Sequence, residues 1–429
     1  MATVTGGGAT TFINVGSNDT ANAQNLANVI SAALATGTDQ RVTTPNSNPP
    51  TGFGVLTIGT TGTSASPNVT VNQPAVSVDL INAAGGAVGT STQVVIGSGL
   101  PNQQVIADSE NITYFTNGGG GTMIFGDGND VVGTPTVGGG ALSVRTGTGN
   151  DTINIFSGNA TVSATTGNNV INTGQPGNFS AALIFAEGND RILSSGGSGT
   201  DTVIGGNGSI FISEATKNLV FNGQGGTAPV TVQGGAGSYI VTAGVGGGVI
   251  AGGAAGNNRL YGGNGAAGTT LFGGGNGDIL FARGTGAASF LIAGTGNETL
   301  TGAGSSVGNI YASGLGGNTT IGGGAGNDTI FSGDPGTTSP FGGSIVADGG
   351  LGNDLFSFTN RGSGVTASVL INNFHTGAGD NDQIQLIGFA TSQQAAIASA
   401  AASAGTVTLS DGTKLTFGTA ASLTGSNFA

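Results

Sequence analysis

Carboxylates are the side chains of this sequence that recur in a pattern able to carry chemistry. The pattern is G-x-D-x-U, with U apolar. It reads GNDVV (Gly128 to Val132), GNDTI (Gly149 to Ile153), GNDRI (Gly188 to Ile192) and GTDTV (Gly199 to Val203). Later copies are NGDIL (Asn276 to Leu280), GNETL (Gly296 to Leu300), GNDTI (Gly326 to Ile330) and GNDLF (Gly352 to Phe356). Acid–base catalysis needs paired carboxylates or a histidine in a formed pocket. The single histidine, His375, follows Phe374 in an apparent strand and reads as a structural or edge residue. With no Cys, thiol catalysis, Cys-based zinc sites and disulfides are excluded. The first 110 or so residues, which precede the repeat array, carry neither an HExxH nor a GxSxG motif. Lys217, Arg259, Tyr239 and Tyr261 make only a thin polysaccharide-lyase-like set. An Asp that opens a strand can also serve structurally, by accepting hydrogen bonds from turn N–H groups.

The elements that position these carboxylates follow from composition and period. Of 429 residues, 88 are Gly, 7% are charged and 37% are hydrophobic, with a formal charge of −13. The eight basic residues are scattered, so no phosphate-binding surface exists and nucleic acid is excluded as a partner. The apolar content is too high and the charge too low for a disordered chain. Gly does not fall on every third position, which rules out collagen. Apolar pulses of three to five residues recur instead, centred on Ile240, Ile250, Leu260, Leu271, Leu280, Leu291, Leu300, Ile310, Ile321 and Ile330. Leu260, Leu280 and Leu300 step by 20, with a second pulse halfway. Pulses this short and this β-branched are strands. Two strands and two Gly-rich reversals per 20 residues predict an all-β fold, a two-sided parallel β-solenoid, with parallel coils stacked about 4.8 Å apart.

The flanks differ from the array. Asp19 and Thr20 offer caps, Leu26, Val29, Ile30, Ala33 and Leu34 form an apolar stripe and Gly37 ends it, which predicts a short N-terminal helix. Residues 1–54 read as this helix-bearing arm and a linker, 55–110 as irregular β coils and 111–360 as the Gly-rich solenoid. Residues 361–429 read as a C-terminal β cap with an Ala-rich helix near 392–404. No run of 18 apolar residues exists, so no membrane span is expected.

GDGND (126–130), GGGAGND (322–328) and DGGLGND (348–354) resemble the nonapeptide of RTX (haemolysin-type) proteins, a calcium-binding parallel β-roll. The resemblance covers roughly 120–429. It implies calcium held at Asp127, Asp130, Asp151, Asp278, Glu298, Asp328 and Asp354. The half-repeat here averages ten residues rather than nine, and many copies carry Asn258, Thr269, Ser289 or Thr319 at the carboxylate position. Only Asp130 with Asp151, and Asp278 with Glu298, keep a spacing of about 20. VLINNFHTGAGDNDQIQLIGF (369–389) and LSDGTKLTFGTAASLTGSNF (409–428) resemble the closing segment and uncleaved type I secretion signal of the same family. The resemblance therefore implies export by a type I secretion apparatus from a Gram-negative cell, to the cell surface or beyond. No cleavable signal peptide is visible at the start.

No catalytic set emerges, so a non-enzymatic role is expected. Solenoid ends are templates for strand addition, and head-to-tail contacts generate open filaments. The expectation is a self-assembling structural protein: a filament, surface-layer or biofilm-matrix subunit whose partner is itself. The alternative is an RTX-type adhesin binding cell-surface glycans through its Tyr/Phe-bearing face. A polysaccharide-active enzyme ranks below both.

Overall fold

The computed structural model describes residues 1–16, 19–45, 47–59, 68–82, 92–134, 139–314, 316–334 and 342–429. It is a β-solenoid of parallel strands with two helices, and it divides into Met1–Asn218 and Leu219–Ala429. In each unit alternate strands build two parallel sheets. Each strand pairs in register with the strand one coil away, as Leu260, Leu280 and Leu300 do at 20-residue steps.

Inward columns form the core. In the first unit one sheet stacks Val105, Met123, Val144, Val162, Ile184 and Val203. The other stacks Val95, Tyr114, Val132, Ile153, Ile171, Ile192 and Ile212. All are fully buried, and each such side chain contributes about 1.5–3 kcal/mol of transfer free energy. In the second unit Leu260, Leu280, Leu300 and Ile321 face Leu271, Leu291, Tyr311 and Ile330 in the same manner. Two pulses differ in phase from the sequence reading. Tyr239 and Tyr311 point inward, while Ile240 is exposed and Ile310 half-buried. A one-residue slip exchanges faces in a strand, and S-Y-I-V and N-I-Y-A are apolar at both phases.

Gly makes the reversals possible. At Gly248, φ is +137°, and a Cβ would sit 1.9 Å from the Val230 carbonyl oxygen of the adjacent coil. Only Gly tolerates both the backbone conformation and the approach.

The helix α1 (Thr20–Thr36) forms where its stripe predicts, and left-handed Gly37 ends it. It does not cap the solenoid end. With the hairpin Ala2–Gly6/Ala9–Ile13 it covers the outer face of one sheet, burying Val55, Val78, Leu80, Ile106 and Ile124 against Ala23, Ala27, Ile30 and Leu34. Arg145 closes that cover with a 3.0 Å ion pair to Asp19.

The coils also reach further than the periodicity suggests. Within 38–54, read as a linker, the strand Asp39–Val42 pairs in parallel with Phe53–Ile58. Beyond 360, Ser368–Asn372 and Gln383–Ile387 continue the two sheets. Lys414–Phe417 then adds in parallel to Ser368–Asn372, and Thr406–Thr408 folds back on it antiparallel. The second helix, Ser392–Ala402, falls within the Ala-rich stretch.

Candidate functional site

In the recurring Gly-Asn-Asp, the Asn and the Asp make ladders of opposite polarity. The Asp lies inside the corner. Its Oδ1 accepts the backbone N–H of the equivalent residue one coil earlier: Ile112 to Asp130 at 2.8 Å, Asp130 to Asp151 at 2.9 Å, Asp151 to Asn169 at 2.9 Å and Asn169 to Asp190 at 3.3 Å. The Asn beside it stays exposed, and its Oδ1 accepts from the coil that follows. The Asn129 N–H donates to Asn111 Oδ1 at 2.8 Å, Asn150 to Asn129 at 2.7 Å and Asn168 to Asn150 at 2.8 Å. The cause is geometric. Where a parallel strand bends into its turn, the ladder of main-chain bonds ends, and a buried N–H left there must find another acceptor.

The second unit repeats the scheme on both sheets. On one, Tyr239 and Asn258 donate to Asn258 and Asp278 at 2.7 and 2.8 Å. On the other, Ser289 donates to Asn309 at 3.1 Å, Asn309 to Asp328 at 2.5 Å, Asp328 to Asp354 at 2.8 Å and Asp354 to Asp382 at 3.0 Å. Thus Asp328, Asp354 and Asp382 stand on successive coils although 26 and 28 residues separate them. The 20-residue rule missed this run because the intervening turns are longer. It also missed Asp190 and Asp382 as ladder members. Non-acidic residues hold the same register: Thr269 donates its N–H to Ser289 Oγ at 3.3 Å.

The motif carboxylates thus come together as neighbours on adjacent coils: Asp130 with Asp151, Asp278 with Glu298, and Asp328 with Asp354. All six are at least 96% buried, and Asp127 is half-buried, accepting the Thr148 N–H at 3.2 Å. Burial raises their carboxyls. Asp151 and Asp382 are pushed to about 6, and Glu298 and Asp328 to about 7, chiefly by desolvation. Asp130 is raised well above the carboxylate range by burial and then by the charge of Asp151. Asp354 is raised by burial, and Asp380 and Asp348 add to the effect.

Calcium takes six to eight oxygens, which sets a fit test. At Asp278, Oδ2 accepts from Gly274 and Gly275 at 2.7 and 3.1 Å and Oδ1 from Asn258; both Glu298 oxygens accept from Gly294 at 2.8 Å. That pair spends every oxygen on N–H donors and leaves none for a cation. At Asp130, Asp328 and Asp354, Oδ2 is buried and accepts no bond among the described residues. A bare oxygen of this kind can take a proton, while a calcium ion there would need most of its six to eight oxygens from elsewhere.

At the C-terminal end of the second ladder His375, Asp380 and Asp382 bring ligand atoms within 4.8 Å of one another. His375 leads into a tight hairpin, with Nδ1 3.2 Å from Asp380 Oδ2 and its N–H donating to Asp382 Oδ2 at 2.8 Å. The lyase-like set is not assembled: Lys217 and Tyr239 are buried, while Arg259 is exposed and Tyr261 faces outward. No protein-family profile, curated protein or solved structure matches the chain.

Proposed function

We propose that this chain is a secreted structural protein that self-assembles on or outside a Gram-negative cell as a filament, surface-layer or matrix subunit, after type I export. The observation that carries the reading is an apolar outward face on one sheet of the second unit. Val249, Phe290 and Ile310 lie in one outward column and Phe272, Ile292 and Phe331 in the next. Val249 is 45% and Phe272 37% exposed. Contiguous exposed apolar surface marks an interaction site, and a sheet of repeating columns suits a second copy of itself.

At the C-terminal end the covered strand edges argue for faces rather than head-to-tail addition. The last strand of one sheet, Lys414–Phe417, is covered by the antiparallel Thr406–Thr408. On the other, Ala429 N–H donates to Ile384 O at 3.0 Å, and Asn427 Nδ2 to Asp382 O at 2.9 Å. Calcium, as the RTX resemblance implies, would be held by the bare oxygens of Asp130, Asp328 and Asp354 and would neutralise stacked carboxylates in place of protons.

The adhesin reading has one observation in its favour. Tyr261 and Phe281 stack with centroids 4.6 Å apart on an outward face, with Arg283 4.1 Å above Tyr261. Negative-stain electron microscopy with calcium and with excess chelator separates the readings. Ordered filaments or sheets from wild type, lost in Phe272→Asp, support assembly through the apolar face. Dispersed rods under both conditions overturn it and favour glycan binding.

A further inference from the structure

Lys217 is 1% exposed and points into the solenoid. Its Nζ lies 3.0 and 3.1 Å from the two carboxylate oxygens of Asp201, and neither side chain has any exposed surface. Ser180 Oγ accepts from the same nitrogen at 2.8 Å. The strand ends Thr173, Ser194 and Glu214 stack in register over three successive coils. From these, the Thr173 hydroxyl donates to Asp201 Oδ2, and Glu214, 1% exposed, stands beside Ser194 on the next coil. Room for the lysine comes from Gly174: a Cβ there would stand 2.8 Å from Lys217 Cε.

This grouping is not that of a stabilising salt bridge. Two fully desolvated ions in contact are costly, and their attraction seldom returns the loss. An ammonium in contact with a carboxylate differs only in the place of one proton from an amine in contact with a carboxylic acid. Those are the reactants of an amide. A third buried group, the acid Glu214, ends the strand that closes just before Lys217. Burial and the neighbouring Asp201 charge push Glu214 up to about 9, so it is a neutral acid at pH 7. Fixed donors already address the oxygens on which negative charge would develop: the Ala182 N–H reaches Oδ1 at 2.9 Å, and Thr173 reaches Oδ2.

We propose that Lys217 and Asp201 condense into an intramolecular isopeptide bond, with Glu214 as the general acid–base. Nζ attacks Cγ of Asp201 and a C–N bond forms. Glu214 donates a proton to a carboxyl oxygen and recovers one from Nζ. The C–O bond breaks, and the oxygen departs as water. In sum, one ammonium and one carboxylate become one amide and one water, Glu214 ends as it began, and nothing is oxidised or reduced. The bond would close a loop over a separation of 16 residues, in a chain that has no Cys with which to cross-link its coils.

Peptide mass spectrometry on the full chain, denatured and digested with trypsin, tests this directly. Arg191, Lys217 and Arg259 are consecutive cleavage sites. An amide at Lys217 blocks the middle one, so the expected product is a single 192–259 peptide lighter by one water. Glu214→Gln, with its β-sheet circular dichroism retained, is expected to return separate 192–217 and 218–259 peptides. Asp201→Asn should give the same joined mass as wild type, because ammonia leaves in place of water. Separate peptides of unmodified mass from wild type overturn the proposal whatever the variants do. A joined peptide in Glu214→Gln overturns the role of Glu214.

Discussion

Replacing Asp79 with Asn should stabilise the N-terminal unit relative to wild type far more at pH 8 than at pH 4. Asp79 lies in the inward column, between Leu56 and Val105, and is 2% exposed. Tyr114 Oη donates to its Oδ2 at 2.9 Å, while Oδ1 is buried with no partner among the described residues. Desolvation raises this carboxyl from 3.8 to about 7, the Tyr114 bond pulling the other way. A carboxyl whose folded pKa lies above its unfolded value contributes fully below the unfolded pKa and loses that contribution as pH rises through the folded one. The window here runs from about pH 4 to about pH 7. At about 1.36 kcal/mol per unit, the full shift corresponds to about 4 kcal/mol, and relaxation of the site reduces this to about 2–4 kcal/mol. Asn never ionises and keeps an oxygen for Tyr114. Its amide group inherits the place of the unpartnered oxygen, at a cost of about 1–3 kcal/mol that does not depend on pH. The informative quantity is therefore the change in the wild-type-to-variant difference between pH 4 and pH 8. In thermal melts with chelator, it should open by roughly 5–15 °C for a unit of this size. Parallel curves at the two pH values would refute the reasoning, since they would mean that Asp79 titrates alike in the folded and unfolded chain.

The same linkage acts on the ladders. With chelator present, wild type should lose stability as pH rises from 4 to 8, because Asp151, Asp382, Glu298 and Asp328 are pushed to about 6–7; a thermal midpoint that rises over this interval contradicts it. Asn258 is fully buried and accepts from Tyr239 and Gly253 while donating to Gly253 and Asp278. Asn258→Ala should cost about 1–3 kcal/mol, and Asn150→Ala, on the exposed ladder, less than about 1 kcal/mol. Equal losses in urea melts would show that burial does not set the worth of a rung.

Much of the coil was legible because a short apolar pulse flanked by Gly has few physical alternatives. The 20-residue period and the inward Leu260, Leu280 and Leu300 follow from it, as does α1 from its stripe. Faces were less legible. In the run AVSVDLI, alternation places Val76, Val78 and Leu80 together, but nothing local says that this set faces out. A helix 40 to 60 residues earlier covers Val78 and Leu80, so the carboxylate of Asp79 turns into the core. The ladders were half legible. The Asn and Asp of each motif are visible as a dipeptide, but their opposite polarities depend on which coil supplies each N–H. The Lys217–Asp201–Glu214 group left no sequence signal, because Asp201 looks like any other motif copy and Glu214 closes an ordinary strand.

These acidic corners explain why a chain with so few charges still carries a net charge of −13. A neutral Asn fills the ladder position as well as Asp does, as Asn169, Asn258 and Asn309 demonstrate by accepting the same inter-coil bond. Geometry alone therefore does not require a carboxylate at Asp130, Asp328 or Asp354. What a carboxylate adds is a second oxygen that takes no N–H, and with it the ability to exchange a proton for a cation. If those three positions are each changed to Asn, the solenoid should keep its far-ultraviolet spectrum, lose part of its pH dependence between pH 4 and 8 and lose any calcium-induced rise in thermal midpoint. Retention of a calcium response in the triple variant would move the cation elsewhere, with the His375, Asp380 and Asp382 group the next to test.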